Sequence, residues 1–130
     1  MSEYVLDTHA CLFALAVPRK LGRKARSALQ RADQRGETVW LPAAAVAEVV
    51  ILKELGRTDV GLPALREAFA ETCWRFLPLD IDQLDEFAAL IGIRDPFDRL
   101  VVAATRCLGA KLISRDQELS ESGLIDVVWS

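Results

Sequence analysis

Short β-prone runs alternate along the chain with stretches whose apolar residues recur at helical spacing. The runs fall at residues 3–6, 38–41, 74–79 and 111–114, with a candidate edge strand at 127–129. Two strands joined through a helix run the same way, because the helix carries the chain back to the edge where the first strand began. The pattern predicts an α/β fold: a central parallel sheet of four to five strands with helices on its faces.

After the first run, Cys11, Leu12, Leu15 and Ala16 follow helical spacing. Leu21, Ala25, Ala28, Leu29 and Ala32 form the stripe of a second helix ending near Gly36. Pro42 reads as opening a third helix that reaches about Leu55, stops at Gly56 and is apolar nearly all round in its middle. A weaker helix is predicted over 63–72, and another over 81–91 with Leu84, Phe87, Ala88 and Ile91 on one face. Asp95-Pro96 starts a helix whose stripe is Phe97, Leu100, Val101, Ala104 and Leu108, ended by Gly109. No repeat, linker or change of composition divides the 130 residues, so one domain over 1–130 is expected.

Composition narrows the chemistry. Sixteen Lys and Arg against nineteen Asp and Glu give a net charge of -3, which provides no global positive field for nucleic acid. Contact with nucleic acid must be local or mediated by a metal. His9 is the only histidine, and Cys11, Cys73 and Cys107 lack the paired spacing of zinc or redox sites. The longest apolar stretch, 39–52, contains Pro42 and Glu48 and is too short to cross a bilayer. The opening residues carry acids where an export signal needs a basic start and an apolar run. A cytoplasmic protein without a membrane partner is expected.

Five acids stand at positions that the predicted topology loads. Asp7 ends the first strand and Asp116 follows the fourth, so both belong to the carboxyl edge of the sheet. Asp95 and Asp98 occupy the first turn of a helix that begins at that edge, and Glu48 lies within two turns of the start of the third helix. Alone, Asp7 and Asp116 also read as turn residues, Asp95 as an N-cap and Asp98 as a complement to the helix dipole. Glu48 resists such a reading, because it interrupts an apolar run where a carboxylate needs a partner. A shared cation is the economical partner for crowded carboxylates. An all-oxygen ligand set points to Mg²⁺ or Mn²⁺, and such ions promote hydrolysis of phosphate esters.

Val5-Leu6-Asp7-Thr8-His9-Ala10, the isolated Glu48 with Lys53 and Gly56 after it, Asp95-Pro96-Phe97-Asp98-Arg99-Leu100 and Ile113-Ser114-Arg115-Asp116 together resemble the PIN domain. More narrowly, they resemble VapC-type toxins of bacterial toxin–antitoxin pairs. The resemblance implies a three-layer α/β/α fold and Mg²⁺- or Mn²⁺-dependent endoribonuclease activity. Carried over by position, Asp7, Glu48, Asp98 and Asp116 match the four metal-binding catalytic acids, Asp95 is an accessory, and Thr8 matches the hydroxyl residue after the first acid. The family further implies an RNA substrate, a small antitoxin and a homodimer. The chain departs from close relatives in having Ala47 before the helical Glu, and Gly92 and Ile93 where a His often precedes the Asp95 run.

Basic residues between 19 and 35 outnumber Asp33 by seven to one, reading as a solvated helix face or a track for RNA phosphates. Lys20, Arg23, Arg99 and Arg115 are the candidate phosphate contacts, and His9 reads as packing or capping. Two other classes of function stay open on the residues alone. One is a non-catalytic nucleic-acid or protein-binding module with a vestigial metal site. The other is a phosphotransfer domain in which Asp7 accepts a phosphoryl group.

Overall fold

The computed structural model of the chain describes residues 3–130. Met1 and Ser2, with which the acid-bearing opening begins, lie outside the described residues. In chain order the elements are β1 (Tyr4–Leu6), α1 (Thr8–Ala16), a 3₁₀ turn (Pro18–Lys20), α2 (Arg23–Arg35), β2 (Val39–Pro42) and α3 (Ala43–Glu54). They continue with α4 (Leu62–Glu71), β3 (Trp74–Leu77), α5 (Ile81–Ala89), α6 (Pro96–Leu108), β4 (Lys111–Ile113), α7 (Gln117–Glu121) and β5 (Val127–Val128). Every strand pair is parallel, in the order β3-β2-β1-β4-β5. Helices cover both faces, which makes the fold a three-layer α/β/α sandwich. Val5, Leu6, Val39, Leu41, Leu112 and Ile113 are fully buried, as strands enclosed on both faces require.

The strand order decides where a site can form. From β1 the chain steps outward to β2 and β3, then crosses back through α5 and α6 to β4 and on to β5. Connections therefore leave β1 and β4 in opposite directions, opening a crevice at their carboxyl ends. Leu6 pairs with Ile113, and the Asp7 N–H donates to the Ile113 carbonyl at 3.2 Å, extending the pairing to the first acid.

Helices α2 and α6 stop where the sequence places their terminal glycines. Gly36 and Gly109 adopt φ values of 68° and 61°, in the left-handed region that suits a residue without a Cβ. Gly22 has a different reason. The Trp129 carbonyl caps the first turn of α2 by accepting from the Ala25 N–H at 3.0 Å, and a Cβ on Gly22 would lie 2.2 Å from that oxygen.

Several expectations are corrected. Pro42 closes β2 and stands at the N-cap position of α3 instead of opening the helix, and β3 ends at Leu77 rather than at 79. Helix α7 and the 3₁₀ turn were not foreseen; five- and three-residue elements are too short to show a period. Helix α3 buries only Ala45 and Val49, so its apolar circumference is not enclosed. Helix α5 ends at Ala89 rather than at 91, and of its predicted face Phe87 packs on the core while Leu84 is exposed and Ile91, beyond the helix, is 78% exposed; Gln83 is buried instead and donates from Nε2 to the Pro78 carbonyl at 2.9 Å. That helix packs chiefly on α6, which asks for less apolar surface than a sheet face does. Among the described residues, no helix is long and apolar enough to cross a membrane.

Candidate active site

The site grows out of element ends. Asp7 leaves β1 and caps α1, its Oδ1 accepting from the Ala10 N–H at 2.9 Å. Asp116 leaves β4 and caps α7, accepting from the Leu119 N–H at 3.2 Å. Asp95 caps α6 by accepting from the Asp98 N–H at 3.0 Å, so its capping role stands. Asp98 sits in the first turn of α6, and Glu48 projects from α3, where it accepts a hydrogen bond from the Thr8 hydroxyl. The three caps satisfy orphan helix donors and at the same time pin carboxylates at the sheet edge.

Asp7, Glu48, Asp95, Asp98 and Asp116 line one pocket of about 310 Å³, together with His9 and Arg115. The structure thus brings together all five acids singled out in the sequence. Glu48, which interrupts an apolar run, has a partner in the Thr8 hydroxyl. It is half-buried, because α3 presents that side to the pocket rather than to the core. At Asp7, burial raises the pKa, while hydrogen bonds from Ser114 and the Ala10 N–H partly offset the rise. The Asp98 carboxyl is pushed up to about 7, first by burial and then by Asp95, Asp116, Glu48 and Asp7.

Ser114 is a site residue that sequence reasoning missed. It is buried, bonds the Asp7 carboxyl, and its Oγ accepts from the Asp116 N–H at 3.0 Å. One hydroxyl therefore ties two acids from different strands. The available signal was a serine two residues before Asp116 at a strand end, the spacing of a serine turn.

The candidate phosphate contacts separate. Arg99 does not line the pocket: its Nε donates to the Phe87 carbonyl at 2.8 Å and its guanidinium lies 4.1 Å from the Phe87 ring centroid. It ties α6 to α5 and stands apart from the pocket lining. Arg115 lines the pocket, with its guanidinium 4.8 Å from the Phe13 ring centroid, and Lys20 Nζ stands 5.6 Å from the same centroid. Arg23 is exposed at the start of α2. His9, read as packing or capping, is exposed at the pocket, its ring tilted toward Phe13 at 6.4 Å.

A cavity walled by oxygen donors suits a hard divalent cation better than zinc. Among the described residues, no three His, Cys, Asp or Glu side chains are arranged, as they stand, to hold a metal ion together. Mg²⁺ does not require three, since it keeps several waters and takes one or two carboxylates directly. The acids that crowd Asp98 are all oxygen donors, the chemistry such a cation takes, and a cation among them would relieve their mutual repulsion.

The chain belongs to the PIN domain family, whose profile matches residues 4–123. Solved structures with a similar fold include VapBC2 from Rickettsia felis bound to a DNA fragment from their promoter, at 12% identity and a TM-score of 0.73, covering 98% of this chain and 99% of that one. A toxin–antitoxin complex from Klebsiella pneumoniae is similar at 18% identity and a TM-score of 0.68, covering 96% and 95%. VapC20 from Mycobacterium tuberculosis, a toxin that cleaves the sarcin–ricin loop, is similar at 15% identity and a TM-score of 0.56, covering 98% and 99%. No curated protein matches the chain in sequence.

Proposed function

We propose that this protein is a metal-dependent ribonuclease that hydrolyses RNA phosphodiester bonds and acts as the toxin of a toxin–antitoxin pair. The observation that carries the reading is the convergence of Asp7, Glu48, Asp98 and Asp116, from four separate segments, on one pocket at the crevice between β1 and β4. These four side chains would hold Mg²⁺ or Mn²⁺, with Asp95 accessory to them. The cation supplies charge neutralisation at the attacked phosphate and activation of water.

The chain's own residues supply position. Cap hydrogen bonds and Ser114 fix Asp7 and Asp116, and Thr8 fixes Glu48. Among the described residues no hydrogen bond holds the Asp98 carboxyl, and burial and the neighbouring acids raise its pKa to about 7 in the metal-free protein. Likeness to an RNA-cleaving toxin supports the substrate class, and likeness to toxin–antitoxin complexes supports a small protein antitoxin. A basic antitoxin side chain entering the pocket would neutralise the acids and compete with the cation.

Expression of the protein alone is expected to arrest growth with loss of intact RNA. Asp7→Asn should remove the arrest at equal protein level, and co-expression of a small neighbouring gene product should relieve it. Harmless accumulation of the folded wild-type protein would overturn the toxin reading.

A further inference from the structure

The acidic pocket has two unlike flanks. On one side His9, Phe13, Lys20 and Arg115 form a shelf: His9 and Arg115 line the pocket itself, and both cations lean on the ring of Phe13. His9 and Phe13 share a face of α1, four residues apart, so the shelf leads about 6 Å along the helix from the pocket toward the 3₁₀ turn that carries Lys20. Trp129 backs Phe13 at 6.2 Å between ring centroids. On the other side a cavity of about 570 Å³ shares Asp95, Asp98 and Asp116 with the pocket and adds Glu118, against Arg94 as the one basic residue in its lining.

The distribution of the cations is informative. Arg115 borders five carboxylates, yet among the described residues neither Arg115 nor Lys20 forms an ion pair. Both are exposed, and each is steadied by an aromatic face instead of by an acid. Cations held in place but not neutralised provide binding capacity for anions, and here they stand beside the centre where a phosphodiester would be cut.

We infer that the Phe13 shelf, through Lys20 and Arg115, binds the RNA backbone phosphate next to the scissile one, on one side of the cut only. The inference rests on the ribonuclease reading of the adjacent pocket. The acidic flank repels phosphates, so the strand enters along α1 and the nucleotides beyond the cut are held weakly. His9, exposed where the shelf meets the pocket, offers a planar surface to the nucleotide lying between the two.

The test uses a short, fluorescently labelled, mixed-sequence single-stranded RNA. Its binding to the Asp7→Asn protein is followed by anisotropy in Mg²⁺ over a range of KCl concentrations. Adding Lys20→Gln or Arg115→Gln should weaken binding several-fold and lower the slope of log Kd against log salt by about 0.7 each, as for one lost phosphate contact on a single strand. Arg94→Gln on the acidic flank should leave both unchanged. In the otherwise wild-type protein, Lys20→Gln should raise KM with kcat retained. An RNA series carrying one uncharged methylphosphonate at successive positions should show reduced kcat/KM on a single side of the cut.

Unchanged salt slopes in both variants, or equal interference on both sides of the cut, overturn the shelf. RNA binding that depends on Lys20 and Arg115 without any cleavage by the wild-type protein overturns the ribonuclease reading and leaves the shelf standing. Cleavage that is indifferent to both residues does the reverse.

Discussion

Replacing Asp98 with Asn should stabilise the metal-free protein at neutral and alkaline pH. The folded state raises this carboxyl from its ordinary 3.8 to about 7, because burial and four neighbouring acids oppose its charge. A raised carboxyl pKa means that the folded chain binds the proton more tightly than the unfolded chain, so stability falls as pH climbs from 3.8 to about 7 and stays low above that. At about 1.4 kcal/mol per pKa unit the cost is capped at about 4 kcal/mol; partial solvent access to Asp98 reduces it to about 1–2 kcal/mol. Asn removes the charge and leaves the Asp95 cap on the backbone N–H in place. Thermal melts in EDTA should therefore show Asp98→Asn melting about 4–8 °C above wild type at pH 8. The two proteins should converge below pH 4. Adding Mn²⁺ should raise the wild-type Tm more than that of the variant, because the cation uses the charge that Asn lacks. Equal melting at pH 8 in EDTA would show that the Asp98 charge costs the fold nothing, and equal stabilisation of both proteins by Mn²⁺ that the cation does not use it.

Three other substitutions probe the supports of the site. Ser114→Ala removes the hydroxyl that bonds Asp7 and Asp116, so it should cost about 1–3 kcal/mol in a denaturant melt and weaken apparent Mn²⁺ affinity in cleavage assays by about 10–100-fold. Asp95→Asn should hold stability within about 0.5 kcal/mol, since Asn also caps a helix, and should reduce cleavage far less than Asp98→Asn. Gly22→Ala places a Cβ against the Trp129 carbonyl and should lower stability by about 1–3 kcal/mol, measured by urea unfolding, by prising the chain end from α2.

How far the sequence discloses the site depends on how local each determinant is. Asp7, Asp95, Asp98 and Asp116 are legible because each sits where a strand ends or a helix begins, and such ends are signalled within a few residues by Pro96 and by the change of period. Ser114 is not, because its role requires β4 to lie beside β1, and the order β3-β2-β1-β4-β5 is not written in any local pattern. The environment of Glu48 is hidden for a related reason: an apolar run signals burial only when something packs on every side, and α3, which packs on α1 and α6, buries only Ala45 and Val49 and leaves Glu48 to the pocket. Arg99 follows Asp98 directly, but successive helix residues point about 100° apart, which turns Arg99 onto Phe87 while Asp98 faces the acids. The exposed part of the α5 face records the same limit, since periodicity marks an apolar stripe without naming what covers it.

In the proposed function the acids at the β1–β4 crevice form a divalent-metal centre for RNA hydrolysis. The most direct test incubates purified, antitoxin-free protein with a mixed RNA pool in Mg²⁺, in Mn²⁺ and in EDTA, beside Asp7→Asn protein shown to be folded. Removing a group that only orients a metal ligand costs about 10–100-fold, so loss of Asp7 itself should reduce cleavage by at least about 100-fold. Discrete cleavage is expected with either cation, none in EDTA and almost none with Asp7→Asn. Cleavage that persists in EDTA, or at wild-type rate in the Asp7→Asn protein, would contradict the metal-centre reading.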